Sequence, residues 1–133
     1  MKSFLVIILA FFSVATFAKG KELKTYYENG ALKSKYVYSD ASNYEVINYY
    51  SNGKLMEAGK FVNGKMDGLW ISYNVQGMVA GEANYLNGEK SGDWKIYDDS
   101  GSLRYKITYS ANRIVNAVNY DAAGNSIADT KTH

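Results

Sequence analysis

The sequence predicts an all-β fold: a single elongated antiparallel sheet of stacked β-hairpin repeats, preceded by an N-terminal signal-peptide helix. The main observation is a tyrosine followed four residues later by glycine, which occurs five times in steps of 23, 24, 24 and 23 residues. A second is that no helical periodicity follows residue 18. A fixed period of this length is typical of repeat proteins, whose small units bury a core only by stacking. The five pairs are Tyr26/Gly30, Tyr49/Gly53, Tyr73/Gly77, Tyr97/Gly101 and Tyr120/Gly124.

The N-terminal segment has the three parts of a secretory signal peptide. Lys2 supplies a positive charge, residues 4–12 (FLVIILAFF) are all apolar, and small residues end the segment at Ala18. The apolar stretch before Lys19 is shorter than the ~20 residues that span a bilayer, which favours cleavage after Ala18 over an uncleaved anchor. We therefore expect an exported protein that is periplasmic, outer-membrane-associated or extracellular.

Charge and cysteine content exclude several classes of function. The chain has 15 Lys+Arg and 13 Asp+Glu, and removal of residues 1–18 takes away one lysine, which leaves a net charge of +1. A near-neutral chain lacks the clustered basic residues that bind phosphates, so no nucleic-acid partner is expected and membrane contact has no support from charge. The absence of cysteine excludes disulfides and thiol chemistry.

The period divides the chain into repeats and strands. The signal peptide at 1–18 is followed by a repeat domain at 19–129 and a polar tail at 130–133. The predicted repeats are 26–48, 49–72, 73–96, 97–119 and a partial one at 120–129. The outgoing strands are 31–38, 54–61, 78–85 and 102–109, the return strands are 43–50, 68–73, 92–97 and 114–120, and short strands lie at 22–27 and 125–129.

Two kinds of turn connect these strands. Asn63-Gly64 and Asn87-Gly88 are tight hairpin turns, because both residues of such a turn need positive φ. The Tyr-x-x-x-Gly steps are the other turns, rich in Asn, Asp, Ser and Gly. The glycines predicted to have a structural role in the repeats are Gly30, Gly53, Gly64, Gly77, Gly88, Gly101 and Gly124.

Alternation along the outgoing strands predicts one aromatic, apolar face and one largely charged face. An exchange of volume accompanies it: repeats with Trp70 or Trp94 carry Gly59 or Ala83 on the outgoing strand. Repeats without tryptophan have Val46 or Ala117 in its place and Tyr36 or Ile107 on the outgoing strand. Because cores keep their total volume nearly constant, we predict that these positions face each other.

The stretch Phe61-x-Asn63-Gly64-Lys65-x-x-Gly68-x-Trp70-x-x-Tyr73-x-x-x-Gly77 resembles the MORN repeat in its bacterial variant form. The copy that runs from Tyr85 to Gly101 resembles it as well, and degenerate copies extend the resemblance to residues 26–124. The resemblance implies successive β-hairpins in an elongated, often curved sheet. It also implies an interaction or scaffolding module, and sometimes an antitoxin-like protein.

Residues for catalysis or metal binding are scarce. The single histidine is the terminal His133, so imidazole-based nucleophile activation and imidazole metal sites are unavailable. Asp98-Asp99 in a turn is more typical of backbone capping than of a Ca²⁺ site. A glycosidase would need a carboxylate pair such as Glu57 and Asp93 across a cleft. We predict no enzymatic activity, no cofactor and no metal.

The aromatic residues are the candidates for binding, since aromatic ladders bind sugars, cationic groups or peptides. The predicted function is an exported protein–protein interaction or scaffolding module at the cell envelope, whose partner is another protein or an envelope polymer. The alternative is a carbohydrate- or cell-wall-binding module, and an antitoxin or immunity-like protein is third. The oligomeric state is left open. The candidate binding surface is Tyr27, Tyr50, Trp70, Tyr73, Trp94 and Tyr97.

Overall fold

Residues 20–127, the part of the chain that the computed structural model describes, form one open antiparallel sheet. The strands are β1 (Lys21–Tyr26), β2 (Leu32–Tyr38), β3 (Tyr44–Tyr49), β4 (Leu55–Val62), β5 (Lys65–Tyr73), β6 (Val79–Leu86), β7 (Glu89–Lys90), β8 (Gly92–Tyr97), β9 (Leu103–Ser110), β10 (Arg113–Tyr120) and β11 (Ser126–Ile127). Consecutive strands pair with each other, except that β7 and β8 both pair with β6. The predicted all-β fold is confirmed.

Two of the predicted segments lie outside the described residues. The signal peptide at 1–18 and the polar tail at 130–133 are not among residues 20–127. Within that described range, no helix has the length and hydropathy needed to cross a membrane. The short strand expected near 125–129 is present as β11.

The tight hairpin turns have the predicted backbone conformation. Asn63 and Gly64 have φ of 51° and 73°, and Asn87 and Gly88 have φ of 52° and 82°. Two consecutive positive φ angles match the right-handed twist of the flanking strands. Ala111 adopts the same conformation, with φ of 47°, although alanine has no side chain to support it. The turn geometry therefore persists in the last repeat after the Asn-Gly sequence is lost.

The Tyr-x-x-x-Gly turns also repeat one geometry. In each turn the glycine N–H donates to the carbonyl of the residue three positions earlier, as Gly77 does to Asn74 at 2.9 Å. All seven predicted structural glycines have positive φ, which explains their positions. A register shift precedes the tyrosine in four of the repeats, so the strand pairing is irregular at the last residue of the strand.

Neighbouring repeats are tied together along the hairpin-turn edge of the sheet. Gly64 N–H donates to the carbonyl of Ser42 at 2.8 Å, and Gly88 N–H donates to the carbonyl of Met66 at 2.9 Å. Asn112 N–H continues the series by donating to Lys90 at 3.0 Å. Each turn thus docks on the repeat before it, which holds the hairpins in one register.

The sheet has two faces of different character. Its aromatic face carries Tyr44, Phe61, Trp70, Tyr85 and Trp94, and its charged face carries ion pairs such as Lys95–Glu82 and Lys106–Asp93, both at 3.1 Å. The prediction for the second face needs a correction, because an apolar patch interrupts the charges. This patch is Ile47, Ala58, Leu69 and Ile71, which come together by strand register. The return strands contribute most residues of this patch. The charged face was predicted from the outgoing strands alone, and the patch was therefore missed.

Few side chains are fully enclosed, because the described residues form a single layer. Val46 and Trp70 are the buried apolar residues, 4% and 8% exposed. Most other side chains are half-buried against their cross-strand neighbours, which are the unit of stabilisation in such a sheet. The aromatic face thus serves both as the core and as a large solvent-facing surface.

The predicted volume exchange is confirmed. A Cβ built on Gly59 would lie 2.1 Å from Cδ2 of Trp70, so the indole occupies the space above the glycine. Where tryptophan is absent, Tyr36 pairs with Val46 and Ile107 pairs with Ala117. Large and small residues therefore alternate across facing strands, as close packing requires.

Candidate functional site

An aromatic ladder crosses the sheet and forms the most extended candidate site. Consecutive ring centroids lie 4.8 Å apart for Tyr44–Phe61 and 5.3 Å apart for Phe61–Trp70. They lie 6.5 Å apart for Trp70–Tyr85 and 5.1 Å apart for Tyr85–Trp94. Most pairs are tilted or edge-to-face, the arrangement that aromatic quadrupoles prefer. The full ladder consists of Tyr36, Tyr38, Tyr44, Phe61, Trp70, Tyr85, Trp94 and Tyr109.

The ladder encloses a shallow concavity between the two tryptophans, which we call the tryptophan groove. Gly81 and Ala83 form its floor, because small residues leave space between the larger rings. Glu57 and Ser72 lie at one end of the groove. Glu57 is the cross-strand neighbour of Ser72, and Ser72 is the cross-strand neighbour of Gly81. Its lining on the aromatic face is Glu57, Met66, Trp70, Ser72, Gly81, Ala83, Tyr85, Trp94 and Ile96.

The two tryptophans have different surroundings although they occupy the same repeat position. Trp70 is buried, and its Nε1 has no hydrogen-bond partner among residues 20–127. Trp94 is half-buried, and its Nε1 donates to the carbonyl of Asn84 at 2.9 Å. Both belong to the predicted binding surface, and Trp94 is the more accessible of the two.

A lysine side chain covers part of the ladder. The ammonium of Lys90 lies 4.7 Å from the ring centroid of Trp94 and 5.1 Å from that of Tyr109. These distances are within the range of cation–π attraction. The aromatic face therefore already holds one positive charge against its rings.

Glu57 is the carboxylate of the aromatic face. Strand alternation places the other acidic residues of the described strands on the charged face. The Nδ2 of Asn48 donates to one Glu57 oxygen at 2.8 Å, and Glu57 makes no ion pair within residues 20–127. The pKa of Tyr85 is raised above its ordinary value by burial and, next, by the negative charge of Glu57. The groove thus combines aromatic walls with an uncompensated negative charge.

The candidate residues Tyr27 and Tyr50 connect neighbouring repeats. The hydroxyl of Tyr27 donates to the carbonyl of Tyr49, and that of Tyr50 donates to the carbonyl of Tyr73, both at 2.7 Å. These bonds occupy the tyrosine hydroxyls, so both residues have a structural role. Of the adjacent residues Tyr26 and Tyr27, Tyr26 is the one that points outward, and it is 60% exposed.

The candidates Tyr73 and Tyr97 are separated from the tryptophans. Residues three apart in a strand point to opposite faces. Accordingly, the hydroxyl of Tyr97 donates to Glu82 at 3.2 Å, and Glu82 belongs to the charged face. The residues of the predicted binding surface therefore do not all lie on one face, since Tyr97 lies opposite the tryptophans. The ladder instead includes Phe61, Tyr85 and Tyr109, which recur twelve residues after each repeat tyrosine, and that spacing was the signal for them.

The acidic residues considered for metal binding or catalysis do not assemble a site. Residues 20–127 contain no group of three or more potential metal ligands. Asp98 caps its own turn by accepting from the Ser100 hydroxyl and from the N–H of Ser102 and of Ser100, which lowers the pKa of its carboxyl. Asp93 bonds Thr108 and Lys106 on the charged face, so the sheet separates it from Glu57.

Comparison with known proteins identifies the repeat. The sequence profile of the MORN repeat variant matches residues 19–40, 45–63 and 90–111. A search of the curated proteins finds no match.

Two solved structures have a similar arrangement of strands over part of their length. The crystal structure of TarM has 13% sequence identity and a TM-score of 0.48, and covers 75% of this chain and 20% of that one. A mutant of S. aureus TarM in complex with fondaparinux, alpha-GlcNAc-glycerol and UDP has 13% identity and a TM-score of 0.49, and covers 74% and 20%. This chain thus spans about a fifth of the length of either structure.

Proposed function

Because this chain belongs to the MORN repeat variant family, we propose that it is a non-enzymatic protein–protein interaction or scaffolding module at the cell envelope. The observation that carries the proposal is the aromatic ladder on the solvent-facing side of a one-layer sheet. Its rings are half-buried, apart from the buried Trp70, and aromatic residues in such contiguous surface are enriched at protein contact sites. The charged ends of the ladder, such as Lys90 over Trp94, supply the polar rim that such sites need.

The rigidity of the surface supports a role in binding. The rings are fixed by their neighbours in the ladder, and the strands beneath them are tied by bonds between repeats. A preorganised surface loses little side-chain entropy on association. The sheet therefore presents its rings ready for contact.

Export to the envelope rests on the N-terminal residues of the sequence. The full chain is to be expressed without a tag in a bacterial host, and the envelope fraction compared with the cytoplasmic fraction. We expect an envelope protein whose intact mass corresponds to a chain that begins at Lys19. A chain that stays cytoplasmic with residues 1–18 attached would contradict this location.

The interaction itself is best tested by site-specific photo-cross-linking in the host cell. A photoreactive phenylalanine at Tyr85 samples the ladder, and one at Ile71 samples the opposite face as a matched control. We expect a cross-linked protein of defined mass from position 85. Equal labelling from both positions, or no protein adduct, would reject the ladder as the interaction surface.

A carbohydrate-binding module is the second candidate, favoured by the tryptophan groove. A groove with aromatic walls and a few polar groups, here Ser72 and Glu57, suits a sugar ring. Titration with cell-wall fragments should then give a saturable change in tryptophan fluorescence that Trp94→Ala abolishes while the far-UV circular dichroism stays unchanged. No response to any glycan would remove this candidate.

A further inference from the structure

We propose that the tryptophan groove binds a basic side chain, an arginine or a lysine, of the protein partner. This inference rests on the proposed interaction function and assigns the chemistry of its contact site. It begins from Glu57, whose carboxylate lies on the aromatic face and makes no ion pair within residues 20–127.

The surroundings of Glu57 leave half of the carboxylate available. Asn48 bonds Oε1 at 2.8 Å, and Oε2 has no partner among the described residues. Several other strand carboxylates form ion pairs, such as Glu22 with Lys35 at 2.7 Å and Glu82 with Lys95 at 3.1 Å. Glu45 and Glu89 form none within residues 20–127, but they lie on the charged face. A half-buried negative charge with a free oxygen next to apolar rings is complementary to a positive charge.

The walls of the groove suit the rest of a basic side chain. The aliphatic part of lysine or arginine packs against apolar surface, and the charged end stacks on aromatic faces. The molecule uses the same chemistry one strand further along, where Lys90 lies over Trp94 and Tyr109. Gly81 and Ala83 leave the depth that an inserted side chain requires.

The burial of the groove strengthens this contact. Tyr85 lies between Trp70 and Trp94, and its raised pKa reflects the reduced access of water and the nearby charge of Glu57. An ion pair is stronger where water is partly excluded than at an open surface. A neutral side chain of the same shape would leave Glu57 without a counter-charge.

A small probe tests the site on the purified full chain without the partner. The probe is a blocked tripeptide with a central arginine, and its control is the same peptide with citrulline, which keeps the shape and removes the charge. The two indole N–H resonances report binding, because Trp70 and Trp94 are the only tryptophans of the sequence and both line the groove. We expect saturable shifts with the arginine peptide and shifts at least about tenfold weaker with citrulline.

Substitution separates the groove charge from net charge. Glu57→Gln should weaken the arginine peptide about tenfold, as expected for the loss of a charge-assisted contact. Glu45→Gln removes the same charge from the opposite face and should leave binding unchanged. The thermal melting curves of both variants show that the fold is kept.

Three outcomes would overturn the inference: citrulline binding as tightly as arginine, Glu57→Gln binding like the parent chain, or equal weakening by Glu45→Gln. The proposed function fails separately, if the arginine peptide binds as expected while photo-cross-linking captures no protein. Conversely, a captured protein whose binding is unaffected by Glu57→Gln keeps the interaction function and rejects the groove as its anchor.

Discussion

Trp70 and Trp94 occupy the same position in neighbouring repeats and both line the groove, yet Trp70 is buried and Trp94 is half-buried. The two indoles have different neighbours on the flanking outgoing strands, since Trp70 lies between Gly59 and Ala83, whereas Trp94 faces Ile107 on one side. Gly59 lets the Trp70 indole lie directly over the backbone, with atoms 2.1 Å from where a Cβ would stand. Ala83 has that Cβ, and Trp94 stays half-buried with its Nε1 bonded to Asn84. Smaller neighbouring side chains therefore accompany the more deeply buried indole.

The largest expected effect is the loss of stability when either indole is removed, and this loss should differ between the two positions. Trp70→Ala should lower the free energy of unfolding by about 3–5 kcal/mol, because it empties the most buried aromatic position. Trp94→Ala should cost about 1–2 kcal/mol, since that side chain is less deeply buried than Trp70. Equilibrium urea denaturation of both variants measures the two costs, and equal values would show that the two sites are energetically the same.

Overpacking at Gly59 should give the next largest effect. Gly59→Leu places a side chain in the space of the Trp70 ring and should cost about 3 kcal/mol. In a Trp70→Ala background the same change should cost less than about 1 kcal/mol, because the space is then empty. A double-mutant cycle by thermal or urea denaturation tests this, and additive costs would refute the shared space.

A smaller effect is expected from removing the N–H of each indole while the shape of the side chain is kept. Benzothienylalanine keeps the shape of tryptophan and replaces the N–H by sulfur. At position 94 it should cost about 1 kcal/mol, because the bond to Asn84 is lost. At position 70 the change should be neutral or stabilising, since that buried donor has no partner to lose. A loss of stability at position 70 would indicate that its N–H has a partner in solution.

The smallest expected effect is a difference in acid sensitivity between the turns that follow the two tryptophans. Asn74 caps the first turn, and Asp98 caps the second with the same backbone bonds. The Ser100 hydroxyl and the Ser102 N–H hold the pKa of Asp98 below its ordinary value of 3.8. Because the folded-state pKa is lowered, its stabilising contribution is complete above the unfolded-state pKa and is lost as the pH falls through the folded one.

This acid effect has a direct measurement and a matched pair of variants. Thermal melting between about pH 6 and pH 2 should show a steeper acid loss for the parent chain than for Asp98→Asn. The reciprocal change, Asn74→Asp, should add a new acid-sensitive contribution. Identical pH profiles for the parent chain and Asp98→Asn would show that the Asp98 carboxylate does not stabilise its turn.

Much of the fold could be predicted because its determinants are local and repeat. The spacing of tyrosine and glycine placed the turns, and Asn-Gly identified the hairpins that have positive φ at both residues. The pairing of Gly59 with Trp70 followed from volume alone. These features depend on residues that are close in sequence or one repeat apart.

The candidate site was harder to predict, because it depends on which face each side chain reaches. A register shift before Tyr73 and Tyr97, together with their spacing from the tryptophans, puts those tyrosines away from the ladder. Whether Glu57 forms an ion pair depends on its neighbours on both flanking strands. Strand alternation alone predicts the face on which the tyrosines lie. The surroundings of Glu57 follow only from the full register of the sheet.

The bonds that dock each hairpin turn on the previous repeat also have a kinetic consequence. The amides of Gly64, Gly88 and Asn112 donate across a repeat boundary, to Ser42, Met66 and Lys90. Their hydrogen exchange requires that adjacent repeats separate, whereas amides inside a hairpin exchange when that hairpin opens. These three amides therefore time the opening of three successive boundaries, and their order of exchange would show from which end the array begins to unfold.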